Sequence, residues 1–244
     1  MNLSQTVRRV ARRLPHHPAV TSDSGAITYG QLEDHIGRIA GGLLGRLALP
    51  RGSRVGIAME NCGEYFEVLY GIWRAGLVAV PMNAKLHEKE IAFILVNAGC
   101  KACFCTPDVA DRLGALEIFA PGMPGILPIG SKDYAALLRS EAAGEVESAP
   151  EDEAWLFYTS GTTGRPKGAV LSFRNLLFMS HCYYADIDNL DERDVKLHAA
   201  PLSHASGLYA IPHIAKGAHN IVLSGSFEPD RIFDVLTKHQ SVTM

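Results

Sequence analysis

The chain has 244 residues, with 23 Lys and Arg against 26 Asp and Glu and a formal charge of −3. A chain of this length has room for one large domain or two small ones and buries roughly 70% of its unfolded surface, which excludes a disulfide-stapled miniprotein. The balanced charge gives no electrostatic reason to expect a nucleic-acid or anionic-membrane partner, and 47% hydrophobic with 20% charged residues is the composition of a soluble globular chain.

No apolar run reaches the length of a membrane span. The five cysteines, an odd number, argue for reduced thiols and a cytoplasmic setting. The first twenty residues, MNLSQTVRRVARRLPHHPAV, are rich in arginine and free of acid. They lack the apolar core of a secretory signal and predict a short amphipathic helix with Val7, Val10 and Leu14 on one face. His16 and His17, before Pro18, read as a solvated turn.

Thr28 and Gln31 have capping-box spacing, and Leu32, Ile36, Ile39, Leu43 and Leu47 follow at helical period. A strand over 54–59, a helix over 63–75 stopped by Gly76, and a strand over 77–82 make a βαβ unit. A helix over 87–98 ending at Gly99 and a strand over 101–105 repeat the pattern. The economical architecture is α/β: doubly wound, largely parallel sheets flanked by helices. Cys100, Cys103 and Cys105 contain one C-x-x-C without a second pair or a His pair, so they read as buried thiols rather than a zinc site. The pattern fades over 121–150, where Gly, Pro and SEAAGEVESAP suggest a boundary. The expected organisation is an N-terminal α/β subdomain over 1–150 and the start of a second over 151–244.

After that boundary, an apolar strand over 154–158 runs into TSGTTGRPKG, residues 159–168. Glycines let successive N–H groups turn toward one point, hydroxyls add donors, and Lys167 adds a positive charge, together a phosphate cradle. The alternative is a solvated hairpin between strands 154–158 and 169–172, and composition leaves the two open. A Walker-type loop does not fit, because Pro166 rather than Gly precedes Lys167, and no G-x-G-x-x-G opens a helix.

The stretch YTSGTTGRPKGAVLSFRNL, residues 158–176, closely resembles the signature of the adenylate-forming superfamily: acyl-CoA synthetases, peptide-synthetase adenylation domains and luciferases. ITYGQLEDHIGRIAGGL, GSRVGIAMENCGEYFEVLYGIWRAGLVAVPMNAKL and APLSHASGL resemble further blocks of the family in the expected order. The step Pro81-Met82-Asn83 is more like acyl-CoA ligases than peptide-synthetase domains. The resemblance implies that ATP and Mg²⁺ convert a fatty or aryl acid to an acyl adenylate, which the thiol of coenzyme A then attacks. It also implies that Thr159, Ser160, Gly161, Thr162, Thr163 and Gly164 wrap the β- and γ-phosphates, that Lys167 adds charge, and that Thr159 touches Mg²⁺.

His204 and Gly207, in PLSHASGL, match the family's Pro-Leu-x-His-x-x-Gly block, whose histidine borders the acid pocket. Read without the resemblance, a lone His is a core or capping residue. Ser203 stands where an aromatic is common, and Phe173 where a His is common. Family members run to about twice this length, and their essential lysine, hinge and adenine-binding residues would lie beyond Met244. The expectation is therefore an N-terminal portion, inactive or weakly nucleotide-binding alone, that forms a homodimer or aggregates through an unpaired sheet edge. A noncatalytic binding module and a peptide-synthetase adenylation domain are the alternatives.

Overall fold

The computed structural model describes residues 2–114, 124–159, 166–225 and 228–244. An amphipathic helix α1 (Ser4–Arg13) leads into an antiparallel pair, β1 (Pro18–Ser22) and β2 (Gly25–Thr28). Thr28 caps α2 (Tyr29–Gly41): its hydroxyl accepts from the Gln31 N–H while the Gln31 side chain accepts from the Thr28 N–H, the reciprocal box expected from the spacing. There follow β3 (Arg54–Ala58), α3 (Glu64–Arg74), β4 (Val78–Pro81), α4 (Glu88–Asn97), β5 (Ala102–Cys105), α5 (Pro107–Gly114), β6 (Gly125–Pro128) and α6 (Lys132–Leu138). Next come β7 (Glu153–Thr159), β8 (Lys167–Ser172), α7 (Phe173–Asp186), β9 (Val195–His198), α8 (Ala205–Lys216), β10 (His219–Val222), α9 (Pro229–Lys238) and β11 (Val242–Thr243).

Among the described residues, six strands form one sheet in the order β6-β5-β3-β4-β7-β8, and five form another in the order β11-β9-β10-β1-β2. Every pairing is parallel except β7 with β8 and β1 with β2. Successive strand residues point to opposite faces, and that alternation sorts the core into layers. Val55, Ile57, Ala79, Phe104 and Trp155 share a core with α1, α2, α3 and α8. Ala58, Val80, Cys103, Cys105 and Leu156 face α4 and α5 on the other side. In the second sheet Val195, Leu197 and Ile221 face α9, whereas Val20 and Val222 turn to the shared core. The two sheets therefore hold a common helical layer between them, the doubly wound α/β architecture expected from the sequence.

From Tyr65 to Arg74 helix α3 lies inside that layer, and there even the charges of Glu67 and Arg74 are buried. Each has partners, as buried charges require: Glu67 accepts from Tyr134 at 2.9 Å and lies 2.8 Å from His35 Nδ1, and Arg74 pairs with Glu33 at 2.7 Å. The three cysteines near β5 are buried free thiols, and burial pushes Cys100 and Cys105 up to about 12.

Two features differ from the sequence reading. The stretch over 121–150, read as a boundary, carries β6 and α6 among its described residues. Strand pairing also crosses residue 150, because β7 and β8 complete the sheet of β3 to β6 while β1 and β2 join β9 to β11. Hydrophobic periodicity reports local elements and carries no information about which distant strands pair. Among the described residues, no helix is long and apolar enough to cross a membrane.

Candidate active site

Parallel strands end on one side, and in open α/β sheets that side is where ligands bind. Here the carboxyl ends of strands from both sheets converge on a cleft of about 240 Å³. Glu60 and Asn61 reach it from β3, Asn83 and Lys85 from β4, Ser203 from β9 and Gly225 from β10.

Strand β7 ends at the same side with Thr159, which is the register partner of Lys167 on β8. Both side chains are exposed, and among the described residues Lys167 has no ion pair. A hydroxyl facing an uncompensated ammonium across the last rung suits a polyanion such as the phosphates of ATP. Ser160, Gly161, Thr162, Thr163 and Gly164 lie outside the described residues. Tyr158, one residue before Thr159, donates to Asn97 Oδ1 at 2.6 Å and ties β7 to the end of α4. Among the described residues, no group of three His, Cys, Asp or Glu side chains comes together as a metal site. Thr159 supplies a single oxygen, a fit for Mg²⁺ that is carried mainly by substrate phosphates and water.

His204 precedes α8 and makes no side-chain capping bond. Its ring stands edge-on to Phe157 with centroids 5.4 Å apart, and its Nδ1 lies 3.0 Å from Ser203 Oγ. Phe157 is two residues before Thr159, so the fold brings together two sequence blocks that are far apart in the chain. Gly207 has a packing reason: a Cβ there would sit 1.9 Å from the Leu202 carbonyl oxygen. Only glycine lets α8 fold back so closely on its own entry loop.

Asn61 carries no signal that sequence reasoning could single out. Its side-chain amide donates to the His198 and Ala200 carbonyls at 3.4 and 3.0 Å and accepts from the Leu202 N–H at 2.9 Å. It therefore fastens the loop carrying His204 to the end of β3, yet in sequence it reads as an ordinary turn residue after a strand.

A second, apolar groove of about 710 Å³ opens between α8, α9 and the end of β11, and Ala199 lines both spaces. The floor beside α8 is polar. His198 is buried between Ser206 Oγ at 2.8 Å and Asn220 Oδ1 at 3.1 Å. Since the Asn220 amide donates to Ala19 and Ala218, its Oδ1 is the acceptor and His198 carries its proton on Nε2. His213 has the opposite tautomer, with Nδ1 donating to the Tyr209 carbonyl at 2.6 Å and Nε2 accepting from Thr243 Oγ1 at 2.7 Å. Burial holds both neutral, pushing His198 down to about 3 and His213 to about 4. Lys196, on the same face of β9 as His198, is 2% exposed, and burial lowers it to about 8.

Residues 7–244 match the family of AMP-binding enzymes. The chain is 34% identical over 240 residues to a feruloyl-CoA synthase of an Amycolatopsis species, covering 97% of this chain and 46% of that enzyme. It is 29% identical to the long-chain-fatty-acid–CoA ligase FadD13 of Mycobacterium tuberculosis, covering 98% of this chain and 48% of that protein. Among solved structures, the inhibitor-bound N-terminal domain of FACL13 from M. tuberculosis superposes with a TM-score of 0.86 at 28% identity, covering 97% of this chain and 60% of that one. The chain spans about half the length of the curated relatives it matches.

Proposed function

The chain belongs to the family of AMP-binding enzymes, and from that premise we propose that it carries the phosphate-binding and acid-binding front of an acid–CoA ligase. In that reaction a carboxylate attacks the α-phosphate of ATP, giving an acyl adenylate and pyrophosphate, and the thiol of coenzyme A then displaces AMP. A carboxylate is a poor acyl donor, and the adenylate supplies the leaving group. The protein's share is to position the reactants and to balance charge. Thr159, Ser160, Gly161, Thr162, Thr163 and Gly164 would wrap the β- and γ-phosphates, Lys167 would neutralise them, and His204 with Phe157 would border the acid. Mg²⁺ would offset the charge of the phosphates, with Thr159 as its protein contact. The free thiols suit a cytoplasmic setting.

The observation that carries this reading is the meeting of β7 and the α8 entry loop, which sets Thr159 and Lys167, without an ion pair among the described residues, beside the His204 and Phe157 contact. The test is ATP binding by the chain and its Lys167→Ala variant. Loss of one charge-assisted contact costs about 1.5 to 3 kcal/mol, tenfold or more in Kd, and an exposed lysine should leave Tm unchanged. Equal ATP affinity in the two proteins would sink the phosphate assignment.

The share of its relatives that the chain spans favours a second reading, phosphate binding without turnover by these 244 residues. Pyrophosphate released above background from ATP, Mg²⁺ and mixed carboxylic acids would exclude it. Release that depends on amino acids would instead point to a peptide-synthetase adenylation domain.

A further inference from the structure

Lys196 sits in the middle of β9, between Val195 and Leu197, which face the α9 core. The alternation of the strand turns its side chain to the α8 side, one pleat deeper than His198. It lines the apolar groove together with Ser206 and Tyr209 of α8 and Met244 beyond β11. Among the described residues no carboxylate pairs with it and no hydrogen bond engages its Nζ. Two ionisable groups that face it, His198 and His213, are held neutral by burial and carry no balancing charge, and the buried Asp194 carboxylate, two residues back along the chain, instead accepts from the Asp191 N–H and the Ser241 hydroxyl.

A buried lysine is ordinarily paired, because an ammonium removed from water without a counter-charge is costly. Placed for packing alone, a methionine would fill the same length of groove without that cost. Nor is Nζ sealed in, since it is absent from the buried polar atoms that lack a partner, and the residue opens onto the groove. The feature that remains is a cation at the floor of a space whose walls, Ser206 apart, are aliphatic and aromatic, with nothing of this chain's described residues to pair with it.

We propose that Lys196 is the specificity-determining residue of this groove, and that the acid it selects carries a second carboxylate at its far end. The inference rests on the acid-ligase reading and deepens it. His204 immediately precedes Ala205 and Ser206, which line the groove, and the reacting carboxylate would lie at that end. The groove extends from Ala205 along α8 to Tyr209 and along β9 to Lys196, so a chain entering beside His204 would meet the ammonium with its distal end. A distal carboxylate would restore the charge pairing that burial removed, whereas a methyl-ended chain of equal length would leave the ammonium against hydrocarbon.

The test compares binding of succinate, adipate and suberate with that of butyrate, hexanoate and octanoate, by calorimetry on the 244-residue chain and its Lys196→Met variant. The expected result is that one of the dicarboxylates binds at least about tenfold tighter than its monocarboxylate partner, the size of one charge-assisted contact. In Lys196→Met the order should reverse in favour of the monocarboxylate. Because the variant removes an uncompensated buried charge, its thermal midpoint should be equal or higher, so loss of folding is not the expected explanation for lost binding. Lys196→Arg provides a second variant that keeps the charge and should keep the preference for the dicarboxylate. Equal affinities for both acids, unchanged in Lys196→Met, would overturn the inference while leaving acid binding intact. Failure of every acid to bind would overturn the acid-ligase reading and this inference with it.

Discussion

The two sheets hold their shape by different means. Strands β3, β4, β5 and β7 bury apolar side chains on both faces, with Trp73 and Trp155 tilted against each other at 6.2 Å in the shared core. Strands β9 and β10 bury Lys196, His198 and Asn220 toward α8. The first sheet gains stability from area and shape and responds little to pH. The second depends on hydrogen bonds that fix tautomers and on groups that must stay neutral, so its stability and its ligand preference share the same residues. A scaffold and a selective surface have been placed on either side of one helical layer.

Truncation in the apolar half should have the largest effect. Trp73 is fully buried and its Nε1–H donates to the Ala154 carbonyl at 2.8 Å. Trp73→Ala should cost about 3 to 5 kcal/mol in guanidinium unfolding, and a loss under about 1 kcal/mol would remove the distinction between the halves. In the polar half, His198, His213 and His219 have folded values lowered by burial to about 3, 4 and 4, against roughly 6.5 when unfolded. Below pH 6.5 the unfolded chain therefore binds more protons, and stability should fall as pH drops toward 4. The slope should be up to about 1.4 kcal/mol per pH unit for each histidine. Denaturant midpoints between pH 7 and 4 read this directly, and a flat profile would contradict the assigned burial.

The staple between the halves should give a smaller effect. Asn61→Ala removes three hydrogen bonds to the loop carrying His204 and should cost about 1 kcal/mol globally. The Leu202 amide should lose protection in hydrogen exchange first. The smallest effect expected is at His35, whose hydrogen bond to Glu67 raises its pKa. A raised value contributes stability that is present below pH 6.5 and lost as pH rises through the folded value. His35→Ala should abolish a weak slope opposite in sign to that of the three buried histidines.

The first half of the chain was largely legible because its signals are local. Thr28 and Gln31 form the box that their spacing announced, and Gly76 and Gly99 end their helices at φ of +69° and +65°, a region glycine enters freely. His87 caps α4 with Glu90 as its reciprocal partner. The second sheet was less legible because its strands are short and its pairings distant. The four residues of β9, Val-Lys-Leu-His, alternate apolar and polar like a strand with one wet face, whereas that face is buried. In the site, the signature over 158–176 and the His204 block could be read as sequence. The contact between His204 and Phe157, the staple at Asn61 and the isolation of Lys196 depend on which strands lie side by side.

The pairing of β1 with β10 sets Val20 against Asn220, two hundred residues apart in the order of synthesis. At about 5 to 20 residues per second, the N-terminal strand waits roughly 10 to 40 s on the ribosome for its partner. During that interval the strands of the six-stranded sheet emerge and can find one another. The nascent chain thus holds β1 without its parallel partner while the six-stranded sheet folds, and β9 and β10 complete the second sheet beside it when they emerge.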